Sequence, residues 1–409
     1  MTHQAALRQE ILNAVDIASP ELLGLARFIH SHPELAMQEH QAAARCIELL
    51  ARHGYQVQAG VAGLPTAFLG TRGQGSPQVG ILVEYDALPE VGHGCGHNLL
   101  AGATLGAAVG IATVLPQVTG TVLVYGTPGE ESKGGKVHML RAGLFEGLEA
   151  ALATHAGAGP TAFVPTVPGS GNLLAAQWLK VEFFGKPAHA GVDPHKGVNA
   201  LNAVIETLNG INALRQHILP ADRVHGVIRH GGEAVNVVPA YASAELMIRA
   251  ERRRHRDELV GQVRSIAQGA ALMTGCRLEL GESETPYDDA VPNLTLARAI
   301  QAEFDAVGLA GPPPYAGPGI ASSDVGNVSY VIPTCHSVFS IAEEDIPWHS
   351  QECAAACDAD AAYAAMLKAA KALALTALDL LLDPGLVRAV RQEFETALAA
   401  RAAAVGERT

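Results

Sequence analysis

The chain of 409 residues is long enough for more than one compact domain, because single hydrophobic cores stop growing beyond roughly 250–300 residues. With 48% hydrophobic and 17% charged residues it has the composition of a folded globular protein, not of a disordered one. Its formal net charge of −13, relieved only by the short run Arg252-Arg253-Arg254, excludes a nucleic-acid binder that works by phosphate neutralisation.

The first residues, "MTHQAALRQEILNAVDIASPELL", carry charges throughout and lack the basic-then-apolar layout of a secretory signal, so a cytoplasmic location is expected. From about 10 to 54 apolar residues recur at helical spacing, interrupted by "HSHPEL", which predicts two helices joined at Pro33. Strands are predicted at about 66–70 and 79–85, where the nearly continuous apolar "VGILVEY" fits a central strand covered on both faces. The uncharged run from Leu99 to Leu115 falls short of the roughly 20 residues that span a bilayer and is expected to be a buried helix, with no membrane partner. "GTVLVYG" (120–126) reads as a strand, "GGKVHMLRAGLF" as a helix and "AALATH" (150–155) as a third buried strand. This alternation predicts an α/β fold with a doubly wound, mainly parallel sheet.

Between about 173 and 286 the order becomes strand (177–184), helix (198–216), strand (223–230), strand (241–249), helix (255–273), strand (276–282). That βαββαβ series is a ferredoxin-like unit, expected as an insertion into a domain made of 1–172 and 287–409. The remainder gives a helix at 293–307, the Gly/Pro-rich "GPPPYAGPGIASSD", a strand near 337–341 and helices from about 354. Six cysteines scattered over this length form no disulfide framework and should be reduced thiols.

In open α/β sheets ligands bind beyond the carboxyl ends of the strands. Three consecutive predicted strands deliver metal-binding residue types there: Asp86, Cys95 and His97 in "EYDALPEVGHGCGHNLLAG", then Glu130 and Glu131 in "GTPGEESKGG", then His155 in "THAGAG". Thiolate, imidazole and carboxylate are the donors that zinc and related divalent ions accept. Glycines 92, 94 and 96 allow the backbone to fold Cys95 and His97 toward one ion. Singly, each residue has an ordinary reading as surface glutamate, core histidine or incidental cysteine; their joint placement points to a metal site. A second cluster, His349, Cys353 and Cys357, has the i, i+4, i+8 spacing of one helix face, open to a separate zinc site or to a small-residue core.

Together these residues resemble the metallopeptidase family that includes aminoacylases, glutamate carboxypeptidases, hippurate hydrolase and auxin-conjugate amidohydrolases. The matching segments are Asp86-Ala87-Leu88-Pro89, His93-Gly94-Cys95-Gly96-His97-Asn98 and Glu130-Glu131. Asn98, in place of the family's aspartate, and "SSDVGNVSYVIP" (322–333) are similar to the sub-branch of aminobenzoyl-glutamate hydrolases and β-alanyl-lysine dipeptidases. The resemblance implies two divalent metal ions, zinc or manganese, bridged by Cys95, with Glu131 and His349 completing one site and His97 and His155 the other. It implies Glu130 as general base and Asp86 as the residue orienting His97. The insertion matches the family's dimerisation domain, implying a homodimer in which His189 of "GKPAHAG", reaching the active site from the partner subunit, stabilises the oxyanion and Asn236 and Arg249 hold the substrate carboxylate. His195 and His336 are nearby competitors for the roles of His189 and His349; the Pro-Trp-His-Ser context favours His349.

The implied activity is that of a metal-dependent amidohydrolase or dipeptidase acting on a small N-acyl amino acid, an aminobenzoyl-glutamate-like conjugate or a dipeptide. Two alternatives stand beside it: a hydrolase using Cys95 as nucleophile with His93 or His97 as base, and a non-catalytic relative that binds small molecules.

Overall fold

The computed structural model describes residues 2–158, 173–309 and 321–403, so the Gly/Pro-rich stretch 311–320 lies outside the described residues. In chain order the elements are α1 (His3–Ser31), α2 (His40–Arg52), β1 (Gln56–Ala59), β2 (Phe68–Gln74), β3 (Gln78–Val83), α3 (His97–Ala112), β4 (Gly120–Gly126), α4 (Gly135–Arg141), β5 (Ala150–Ala158), β6 (Ala175–Phe184), α5 (Ala200–Leu214), β7 (Arg223–His230), β8 (Tyr241–Ala250), α6 (Arg253–Thr274), β9 (Arg277–Gly281), α7 (Leu294–Ala306), α8 (Val325–Val328), β10 (Thr334–Ala342), α9 (Gln351–Ala356), α10 (Asp360–Leu382) and α11 (Pro384–Ala403). They form two compact units.

The first unit is built on a six-stranded sheet of order β1-β2-β4-β3-β5-β10. The β4-β3-β5-β10 portion is parallel, and β2 and β1 extend it antiparallel at one edge. β3 lies in the middle, and its last five residues are buried, as its unbroken apolar run requires. The strand β1, with three of four residues exposed, carries no apolar signal and is a short edge.

Glycine spacing decides how the helices of this unit pack. Every residue of α3 is buried, and its Gly102, Gly106 and Gly110 recur every fourth position along one face. A Cβ on Gly102 would meet Met366, one on Gly106 would lie 2.8 Å from the Ala370 Cβ and 3.1 Å from Leu22, and one on Gly110 would lie 2.9 Å from Val15. The glycines therefore admit α10 and α1 at a separation that larger residues forbid.

Glu39 ties the start of α2 to the loop after β4. It is wholly buried. Its carboxylate accepts the backbone N–H groups of Met37 (2.9 Å) and Gly129 (2.8 Å) and the Thr66 hydroxyl (2.9 Å). Gly129 immediately precedes Glu130 and Glu131, so this buried acid sets the loop that carries them. Burial, then the charge of Asp86, pushes the Glu39 carboxyl up to about 7.

The second unit comprises 173–289 with 321–322. Its antiparallel sheet has the order β7-β8-β6-β9, with α5 and α6 packed against it over a core that includes Leu179, Val181, Phe183, Leu246 and Val263. The unit runs three residues beyond the expected 286 for a physical reason. Tyr287 pairs with Ala176 beside β6, and Asp289 accepts the Arg253 N–H (2.8 Å) at the start of α6.

Two outcomes check this account. Gly106→Leu should cost about 1–3 kcal/mol through overpacking; denaturation at the wild-type midpoint would show that α3 has room to spare. For Glu39 the native state binds a proton more tightly than the unfolded chain, so its contribution is complete below the ordinary carboxyl value and lost as pH rises through about 7. Between about pH 5 and pH 8 the metal-free wild type should therefore lose roughly 3 kcal/mol relative to Glu39→Gln, at 1.36 kcal/mol per pKa unit, and a pH-independent gap between the two unfolding curves would refute the assignment.

Candidate metal centre

The parallel strands of the first unit end beside one another, and polar residues follow each end. β3 closes at Val83 and is followed by Glu84 and Asp86; β4 closes at Gly126, opposite Val83, and leads to Glu130 and Glu131. His155 departs from the expected placement at a strand end. It lies inside β5, which continues to Ala158 because its pairing with β10 continues, so that His155 stands opposite Val338. Since β5 overruns β3, His155 still comes level with the residues just after β3.

The loop between β3 and α3 brings Cys95 and His97 in. Gly96 has φ +78, a left-handed conformation that suits glycine, and a Cβ there would lie 2.8 Å from Ala156. A Cβ on Gly94 would meet Val91 and the Ser350 carbonyl, and the Gly94 carbonyl accepts the N–H of His349 (3.1 Å). That bond brings the chain before α9 to the metal-type residues.

Three groups of donor atoms converge, the atoms of each within 4.8 Å of one another: Cys95, His97 and His155; Cys95, Glu131 and His349; His97, Glu130 and Glu131. Cys95 belongs to two of them and His97 also to two. The helix-face reading of His349, Cys353 and Cys357 does not hold. His349 lies before α9 in a left-handed conformation (φ +58) with Nε2 3.7 Å from Glu131 Oε2, whereas Cys353 and Cys357 are buried free thiols hydrogen-bonded to each other. His336, the competitor, is not in these groups; its ring packs edge-on against that of His155 (5.7 Å between centroids).

The hydrogen bonds fix which nitrogen of each histidine is available. His97 Nδ1 lies 3.0 Å from Asp86 Oδ1 and 2.9 Å from the Asp86 carbonyl, so Nδ1 is committed as a donor and Nε2 is the nitrogen left for a metal, which would have to displace any proton there. The second oxygen of Asp86 accepts the N–H of Glu131 (3.0 Å), so one carboxylate orients two members of the cluster. His155 donates from Nδ1 to the Ala156 carbonyl (2.7 Å), turning Nε2 toward the Cys95 sulfur (3.5 Å).

Electrostatics separate the roles. Burial, then His336 and His97, push the His155 imidazole down to about 3, so it stays neutral as a ligand must. Burial works against charging His97 as well, yet Asp86 holds it well above the usual imidazole range. Burial, followed by the charges of Glu84 and Glu131, pushes Glu130 well above the usual carboxyl range. Without a cation the cluster holds polar atoms with no hydrogen-bond partner, among them His97 Nε2 and Glu131 Oε1. Orphaned buried polar atoms of this kind cost free energy. Two ions sharing the Cys95 sulfur fit them: Cys95, His97 and His155 would hold one, and Cys95, Glu131 and His349 the other.

His189, Asn236 and Arg249 belong to the second unit. The N–H groups of Gly191 (3.2 Å) and Val192 (3.1 Å) donate to His189 Nδ1, which leaves its proton on Nε2 of an exposed ring. The Asn236 carbonyl accepts the N–H of Ala190 (2.9 Å), placing the two segments side by side. Arg249 donates to the Ser322 hydroxyl (3.0 Å). His195 sits in an exposed turn, Pro194–Lys196.

Sequence reasoning missed a set of charged residues behind the cluster. Lys136, with no exposed side-chain surface, lies 2.7 Å from Glu84 and 2.5 Å from Asp324. Burial opposes the ionisation of Glu84, but the Lys136 ammonium and then His97 hold its carboxyl down at about 2. The one sequence signal was the two-residue spacing of Glu84 and Asp86 at the end of a buried strand.

Comparison with known proteins agrees with this chemistry. Residues 175–272 match the family described as a peptidase dimerisation domain. The chain is 35% identical to the Xaa-Arg dipeptidase of Mus musculus over 96% of its own length and 93% of that protein. It is 31% identical to one of the subunits of the p-aminobenzoyl-glutamate hydrolase of Escherichia coli, with 94% of each chain covered. Among solved structures, a dinuclear metal binding peptidase of the M20 family from Bacillus subtilis superimposes with a TM-score of 0.60 at 19% identity, covering 87% of this chain and 98% of that one. The extent of these matches, with a donor set suited to divalent cations, shows that the chain belongs to the M20 family of metal-dependent peptidases and amidohydrolases.

Proposed function

We propose that the protein hydrolyses the amide bond of a dipeptide or an N-acyl amino acid conjugate, substrates of the kinds named in its relatives, the Xaa-Arg dipeptidase and the p-aminobenzoyl-glutamate hydrolase. The observation that carries this reading is the sharing of Cys95 between two donor triads with the carboxyl of Glu130 beside them. Two divalent ions, zinc or manganese, supply polarisation of the scissile carbonyl and a nucleophilic water at neutral pH.

The residues divide the remaining work. Glu130, whose surroundings raise its affinity for a proton, removes one from the attacking water and passes it to the departing amine. Asp86 keeps His97 in the tautomer that offers Nε2 and holds the Glu131 backbone in register with it. His189, with Nδ1 occupied by backbone donors, offers Nε2–H to the oxyanion that develops. Arg249 and Asn236 hold the substrate carboxylate, the guanidinium giving it a forked partner. A homodimer is supported by the dimerisation-domain match and by β7, an edge strand whose Val227 and Ile228 are exposed. A cytoplasmic location accords with six unpaired cysteines.

A nucleophilic Cys95 is disfavoured, because its buried sulfur belongs to two donor triads, where a bound cation would engage it. Amine release should be followed from Xaa-Arg dipeptides, p-aminobenzoyl-glutamate and N-acyl amino acids, with Mn²⁺ or Zn²⁺ and with chelator. Release abolished by chelator and restored by metal is expected; release persisting in verified metal-free protein would return the reaction to the thiol. Glu130→Gln should retain both ions while turnover falls by at least about 100-fold, and loss of an ion from that variant would show that Glu130 is a ligand.

A further inference from the structure

Lys136 is buried where a lysine has no obvious reason to be. Its ammonium lies between Glu84 Oε1 (2.7 Å) and Asp324 Oδ1 (2.5 Å), and its backbone N–H donates to the other oxygen of Asp324 (3.0 Å). The residues come from three separate segments: Glu84 follows β3, Lys136 is the second residue of α4 and Asp324 precedes α8. Withdrawing three charges from water costs several kcal/mol per ion, and well-packed apolar residues commonly replace such groups without loss of stability. The fold alone does not call for this trio.

The geometry gives it a task. One oxygen of Glu84, Oε1, is ion-paired with the Lys136 ammonium; the other, Oε2, accepts no hydrogen bond and lies 3.7 Å from His97 Nε2, which also has no partner. The opposite nitrogen of His97 is committed to Asp86. We propose that Glu84, clamped by Lys136 and Asp324, is a positioning residue of the metal centre that holds an anionic oxygen against the metal-facing nitrogen of His97. Lys136 acts through it: the ion pair to Oε1 restrains the carboxylate and keeps Oε2 beside His97 Nε2. Asp324 fixes the lysine from behind by two contacts. This inference rests on the metal-centre reading above.

The test is metal binding by full-length protein stripped with chelator and titrated calorimetrically with Mn²⁺, alongside thermal unfolding. Glu84→Gln keeps the size of the side chain and Lys136→Met its length. Each should lose about 10- to 100-fold in affinity for one ion, the usual effect of removing a partner of a metal ligand. The double variant should bind no more weakly than the worse single variant, because the lysine works through the glutamate. Folded variants with wild-type affinity would overturn the proposal and leave the trio as a structural tie. Fully additive losses would overturn the route through Glu84. Should Lys136→Met fail to fold, Glu84→Gln decides alone. A wild type that binds no ion would instead sink the metal-centre reading, and this inference with it.

Discussion

The organisation of the first unit turns on one constraint: carboxylates gathered at the adjoining ends of β3 and β4, away from water. Glu84, Asp86 and Glu130 are buried, and the side chain of Glu131 is 12% exposed. Like charges in a medium of low dielectric cannot all remain ionised without compensation. The surroundings answer each in turn. Lys136 holds Glu84, while His97 and the Glu131 N–H hold Asp86. Glu130, facing Glu84 and Glu131, is left with its proton affinity raised. The residue assigned as base is thus the one whose neighbours leave it most in need of a cation or a proton.

The scaffold makes this crowding tolerable by being rigid where the acids sit. β3 is central, α3 starts at His97 itself, and the glycine face of α3 brings α1 and α10 in without gaps. Glu39, distant in sequence, grips the Gly129 N–H so that the following two glutamates cannot drift. Catalytic geometry needs such support, because loosely held donors lose most of their effect.

Much of this could be read from the sequence, for identifiable reasons. The strand and helix alternation of the second unit emerged within a few residues because each element has one apolar face of the right period, as in β6 and α5. The converging donors were legible because cysteine, histidine and glutamate beside glycines at strand ends are chemically unusual together. Pairings over long sequence separations were not. Lys136 and Asp324 are 188 residues apart, and a lysine in "SKGGK" reads as a surface residue until the fold closes over it. Of the two readings that the spacing of His349, Cys353 and Cys357 left open, the small-residue core holds for the two cysteines; His349 stands apart because it has φ +58 and α9 begins only at Gln351.

The two triads that share Cys95 are not equivalent, and the difference follows from what carries them. His97 and His155 come from the first turn of α3 and the interior of β5, with His97 locked by a buried carboxylate and His155 by its neighbouring carbonyl. Glu131 and His349 come from loops, and the His349 side chain is 53% exposed on a backbone conformation uncommon for a residue with a Cβ. Strained backbone persists only where surrounding contacts hold it, here the Gly94 carbonyl and the start of α9. A donor set with one rigid half and one loop-borne half would hold a cation more firmly on the first than on the second. Cys95 suits the junction, since a single polarisable sulfur faces both halves without adding a further carboxylate to a cluster that already has four.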